Sequence, residues 1–122
     1  MTGMRLVQAG FDVSMINFGQ PRTGDNDYAA FSNNVFPEQW RVVHYQDQVP
    51  HLPPSTSILN FTHVRTEAYE DQEGSVRLCD ASGEDPTCAD QWSLIHTNWG
   101  DHLYYLGVYM DCINPHAVLF LQ

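Results

Sequence analysis

Two side chains in this sequence have the types and the order for general-base chemistry. Asp47 lies in the run Arg41-Val-Val-His-Tyr-Gln-Asp-Gln-Val-Pro-His-Leu-Pro-Pro54, where β-branched and aromatic residues give way to one acid and a stiff proline-rich loop. His102 comes later, in Asp101-His-Leu-Tyr-Tyr-Leu-Gly107. A carboxylate can hold an imidazole in one tautomer and stabilise its cation. The imidazole then takes a hydroxyl proton and later returns it to a leaving group. In one chain order found for such triads the serine comes first, then the acid, then the histidine. Asp47 and His102 stand in that order. The serine belongs on a Gly-x-Ser-x-Gly elbow, but serines 14, 32, 55, 57, 75, 82 and 93 all lack the two flanking glycines. The nucleophile is therefore expected to be absent from these residues. So is the oxyanion hole, half of which is the N–H just after it.

Each residue also has a plainer reading. Asp47 is a loop acid that caps backbone N–H groups. His102 is a solvated histidine at a helix start, with Asp101 as the N-cap. His44, Asp47 and His51 suggest a metal site only if helical, and Pro50 forbids that helix. No metal and no cofactor is expected. His63 is read as packing, or as pairing with Glu67. The pair Tyr104–Tyr105 and Trp92 are read as core or as the wall of an apolar site.

The elements that must position Asp47 and His102 follow from the pattern. Met1–Gly10 reads as the last turns of a helix ended by glycine. Residues 13–18 have apolar side chains on both faces, which predicts a buried parallel strand. Residues 19–24 are turn chemistry. Residues 25–35 predict a short helix with Asp25 and Asp27 in its first turn and Tyr28, Phe31 and Val35 on one face. Trp40–Tyr45 is the next strand, so strand, helix and strand make one βαβ unit. Phe61–Tyr69 alternates and Ser75–Cys79 follows Gly74, which predicts an edge hairpin. Residues 101–107 read as a short helix.

The 122 residues suffice for one small domain, and 43% apolar content supports a core. Fifteen acids against five bases give a net charge of −10, which argues against nucleic acid and anionic membranes as partners. No window is apolar enough to span a bilayer. Met1–Gly10 is too short and mixed for a targeting core, so no signal peptide is expected there. Three cysteines leave one odd. Cys79 and Cys88 bracket a polar loop, and a disulfide there would gain about 2.5–3 kcal/mol in the chain-entropy model. Two free thiols are the alternative in a reducing compartment. Asn60-Phe-Thr62 is a glycosylation sequon.

Four blocks together carry a resemblance: Phe18-Gly-Gln-Pro-Arg-Thr-Gly24, the Arg41–Pro54 run, Phe61-Thr-His63 with Glu67 and Tyr69, and Asp101–Gly107. In order and spacing, from about Val13 to Cys112, the chain resembles the class 3 (fungal-type) triacylglycerol lipases. The resemblance implies a partial α/β-hydrolase fold, the C-terminal half of the central sheet with flanking helices and an edge hairpin. It makes Asp47 the triad acid and His102 the triad base, acting on acylglycerols or other lipid esters. It implies a Cys79–Cys88 disulfide, an unpaired Cys112 whose partner lies near the family's N-terminus, and a secreted full-length relative. Residues 1–112 would be the C-terminal part of the lipase domain, 113–122 a tail of unknown role, and an N-terminal half would be missing. The chain alone is then expected to be inactive. The alternative is a non-catalytic, truncated lipase-like protein that binds lipid or a partner chain.

Overall fold

A computed structural model describes residues 2–56 and 58–110. The strand leading to Asp47 is central. β3 (Gln39–His44) has parallel partners on both sides, β1 (Met15–Phe18) and β5 (Glu67–Glu70). β6 (Val76–Leu78) adds antiparallel to β5, giving the order β1-β3-β5-β6. This is a partial α/β sheet with an edge hairpin. A doubly paired strand under other elements must suit both faces, and of β3 only Trp40 escapes full burial.

The link from β1 to β3 carries β2 (Gly24–Asp25) and α2 (Asn26–Val35). Asp25 is the N-cap of α2, its Oδ1 accepting the Tyr28 N–H at 2.9 Å. The expected helix face is not the one that packs. Ala29 and Ser32 turn inward, whereas Tyr28 and Phe31 are exposed. Gln39 at the start of β3 bonds both Ser32 and Asn33, which draws that polar side of the helix against the sheet. α1 (Thr2–Gln8) ends as expected: Gly10 has φ +87°, with Gly10 N–H to the Val7 carbonyl and Phe11 N–H to the Leu6 carbonyl.

Three further expectations change. β1 is parallel, but it lies at the open edge, and Ile16 and Phe18 are 62% and 42% exposed. On that face Tyr105 meets the Phe18 ring, edge-on at 5.5 Å. The stretch Phe61–Tyr69 is two strands: β4 (Phe61–Thr62) pairs with β2, and Thr66 at φ +72° breaks the run before β5. Residues 101–107 do not form a helix. One 3-10 turn over Asp101–Leu103 leads into a hairpin of β7 (Tyr104–Tyr105) and β8 (Val108–Tyr109). Leu106 and Gly107, at φ +51° and +80°, supply the two left-handed positions that a two-residue hairpin turn requires.

The sheet's two faces are built differently. Val43, Tyr69, Cys88 and Ala89 cluster on one face, with Cys79 against them. Val42, Ala68 and Tyr105 cluster on the other. Cys79 and Cys88 are joined by a disulfide, which excludes the two-free-thiol alternative. Trp92 covers this face, its indole N–H donating to the Tyr69 hydroxyl at 3.0 Å. Arg41 is fully buried and donates to Glu67 and to the carbonyls of Val64 and Gly83, each at 2.9 Å. Burial lowers the Arg41 pKa and raises that of Glu67, and each charge opposes the other's shift. His63 does not pair with Glu67; its Nε2 meets the Pro50 carbonyl at 2.8 Å because Arg41 already occupies Glu67. Cys112 and the tail at 113–122 lie outside the described residues. No described helix is long and apolar enough to cross a membrane.

Candidate active site

Asp47 sits three residues beyond β3, where Tyr45 at φ +33° turns the chain and the Asp47 N–H returns to the His44 carbonyl at 2.9 Å. Its side chain is 0% exposed. The two carboxylate oxygens have separate tasks. Oδ1 accepts the Val49 N–H at 2.8 Å, a backbone contact of the kind the plainer reading expects, at the first residue of the 3-10 turn Val49–His51. Oδ2 accepts from His102 Nδ1 at 2.9 Å and from the Tyr105 hydroxyl. The fold therefore brings together Asp47 and His102, which are 55 residues apart.

His102 reaches Asp47 because its own segment is laced to the Asp47 loop. Asn98 N–H donates to the Gln46 carbonyl at 2.8 Å, and Gln48 N–H donates to the Asn98 carbonyl at 3.2 Å, forming a parallel bridge. Asp101 is not an N-cap. Its own N–H is capped by Asn98 Oδ1 at 3.0 Å, and its Oδ2 accepts from Asn98 Nδ2 and from Gln46 N–H. Asp101 thus fastens the residue before His102 to the residue before Asp47.

With Nδ1–H donated to a carboxylate, His102 Nε2 holds the lone pair. Nε2 has no hydrogen-bond partner among the described residues, and the side chain is 28% exposed. Trp99, 60% exposed, stands edge-on to the imidazole at 5.9 Å. The backbone of Gly19 also presses close. A β-carbon there would lie 2.7 Å from His102 Nδ1 and 2.8 Å from Asp47 Oδ2. Read from sequence, Gly19 is only a turn residue; its φ of +57° and this approach make it part of the site's wall.

Tyr105 is the partner that sequence reasoning missed, having placed it in the core or an apolar wall. It is in the core, but its hydroxyl ends on Asp47. Burial first, then the Asp47 charge, push the phenol's pKa well above its ordinary value, so it remains a donor. The remaining histidines do not converge. His44 Nδ1 meets the Asp101 carbonyl at 3.2 Å, His51 is buried in the turn after Asp47, and His63 bonds Pro50. The described group Glu67, Cys79 and Cys88 has ligand atoms within 4.8 Å, but both sulfurs are in the disulfide and Glu67 holds Arg41.

A carboxylate beyond the carboxyl end of a parallel strand, fixing an imidazole with a free Nε2, is an arrangement that can do general-base chemistry. The family described as lipase (class 3) matches residues 1–57. A lipase of Rhizomucor miehei is 32% identical over 93 residues, 74% of this chain and 24% of that protein. A secreted mono- and diacylglycerol lipase of Fusarium solani is 32% identical over 62 residues, 51% of this chain and 18% of that protein. A solved triacylglycerol lipase, whose catalytic centre is formed by a serine-protease triad, superposes with a TM-score of 0.75 at 27% identity, over 88% of this chain and 42% of its own. In sequence and in fold the chain is similar to the class 3 lipases. It spans about a quarter of the length of the Rhizomucor lipase.

Proposed function

We propose that this chain carries the acid and base of a Ser-His-Asp esterase site for acylglycerol-type lipid esters. Residues 1–112 would be the C-terminal part of the lipase domain. His102 Nε2 takes the proton of a serine hydroxyl as the oxygen attacks the ester carbonyl, then returns it to the departing alcohol. Asp47 keeps the imidazole in the Nδ1–H tautomer and stabilises its cation. The serine is not among these 122 residues, so the chain alone is inactive. The observation that supports this reading is the 2.9 Å contact between His102 Nδ1 and a fully buried Asp47 carboxylate, with Nε2 left free. The disulfide favours an oxidising, extracellular setting, in keeping with the secreted Fusarium relative.

The exposed face of β1 favours a second reading, a non-catalytic chain that binds lipid or a partner through Ile16 and Phe18. Hydrolysis of p-nitrophenyl butyrate separates the two. The 122-residue chain should show no turnover above background. Mixed with a chain that carries a Gly-x-Ser-x-Gly segment of the family, it should gain hydrolysis that His102→Ala removes. Turnover by the chain alone that is lost in His102→Ala would overturn the missing nucleophile. No gain on mixing would favour the non-catalytic reading.

A further inference from the structure

The structure assigns His44 and Glu70 as positioning residues for the His102 segment, an inference that rests on reading Asp47 and His102 as a catalytic pair. The two are register partners at the ends of β3 and β5, so their side chains project from the same face of the sheet. That face also carries Val42, Ala68 and Tyr105.

Glu70 is 1% exposed, and both its oxygens accept the Leu106 N–H, at 3.0 and 2.9 Å. No described cation pairs with it. A carboxylate is among the costliest groups to bury, yet this one is directed at one backbone amide in a two-residue turn. Leu106 is at φ +51°, a conformation that side-chain-bearing residues rarely adopt without support. His44 acts at the other end. Its Nδ1–H donates to the Asp101 carbonyl at 3.2 Å, and its ring packs against Tyr104 and Tyr105 at 5.3 and 5.9 Å.

Between these grips lie His102 and Tyr105, the two groups that share Asp47 Oδ2. The segment between them has one 3-10 turn and a two-residue strand, elements too short to hold their own shape. The sheet supplies the rigidity through two side chains that touch neither Asp47 nor His102 Nε2. Removing either grip lets the segment move as a unit, and His102 Nδ1 loses its alignment with Asp47.

The test is the downfield Nδ1–H proton signal of the Asp47–His102 hydrogen bond, followed by 1H NMR on the full 122-residue chain. Asp47→Asn serves as the reference and should remove the downfield signal, because the carboxylate acceptor is gone. Glu70→Ala should weaken it at least ~2-fold, with the Trp92 indole signal, on the opposite face, unchanged. Glu70→Gln keeps an acceptor for Leu106 and should restore the signal. If Asp47→Asn leaves the signal in place, the pair reading fails. If Asp47→Asn removes it but Glu70→Ala does not weaken it, the positioning role alone is overturned. Should Glu70→Ala not fold, hydrogen exchange in the unmutated chain decides. The Leu106 amide should exchange at least ~10-fold more slowly than that of Gly107, and equal rates would overturn the proposal.

Discussion

The Tyr105 hydroxyl donates to the Asp47 oxygen that also receives His102 Nδ1. Two donors therefore divide one lone-pair region of a fully buried carboxylate. Tyr105→Phe removes one of them with almost no change in shape. Stability should fall by about 1.5–3 kcal/mol, the range for a hydrogen bond to a charged group. The unshared carboxylate then takes a stronger hydrogen bond from His102, so the Nδ1–H proton signal should move further downfield. An unchanged Nδ1–H signal in Tyr105→Phe would show that the hydroxyl does not compete for Oδ2.

Gly19 has no room for a side chain. At φ +57°, with a β-carbon 2.7 Å from His102 Nδ1, Gly19→Ala meets both backbone strain and a clash with the acid–base pair. The imidazole, 28% exposed where Asp47 is fully buried, is the group that yields. The variant should keep the sheet's circular dichroism and lose the downfield Nδ1–H proton signal of the Asp47–His102 bond. Persistence of that signal would refute the assignment of Gly19 to the site wall.

Acid should weaken this fold well before its carboxylates titrate. Burial, aided by the Arg41 charge, holds the His63 imidazole down to about 3, while its Nε2 bonds the Pro50 carbonyl. An unfolded histidine binds its proton near pH 6.5. Its neutral form therefore stabilises the fold fully above that pH. The contribution is lost as pH falls from about 6.5 toward 3, at up to ~1.4 kcal/mol per pH unit. His51, also lowered chiefly by burial, acts in the same direction. Urea unfolding at pH 7.5 and 5.5 should show the loss, and His63→Gln should flatten it. An identical pH dependence in His63→Gln would exclude His63 as the source.

Arg41 and Glu67 form a buried ion pair, and Arg41 also ties the segment before β5 to the loop after β6. Arg41→Met leaves the Glu67 carboxylate buried without a cation and frees the Val64 and Gly83 carbonyls, so it should cost about 3–5 kcal/mol. Adding Glu67→Gln to that variant removes the stranded charge and should recover part of the loss. A double variant less stable than Arg41→Met alone would contradict this account. Chemical denaturation of the three chains measures it.

The parts of the fold legible in the sequence are those set by neighbours in the chain. Asp25 caps α2, Gly10 ends α1, and the apolar run of β3 marks a doubly covered strand, because capping, left-handed backbone and strand alternation act within a few residues. The inward face of α2 was not legible: Gln39 decides it from outside the helix. The hairpin at Tyr104–Tyr109 was not legible either. Leu-Gly is a poor signal for a two-residue turn, and Glu70 supports it from 36 residues away.

By itself the sequence determined the order of the candidate groups, an acid held by a proline loop and a later histidine. It also determined the strand that presents the acid. Only the tertiary structure decided the geometry around the pair. It decided that Tyr105, read as core, shares Asp47 with His102, that Gly19 walls the site, and that His63 bonds Pro50 and not Glu67. The reason is physical. A side chain's local pattern fixes its backbone and its preference for burial, but the partner of a buried polar group depends on which distant strands and loops pack beside it. For Asp47 those partners lie 55 and 58 residues away.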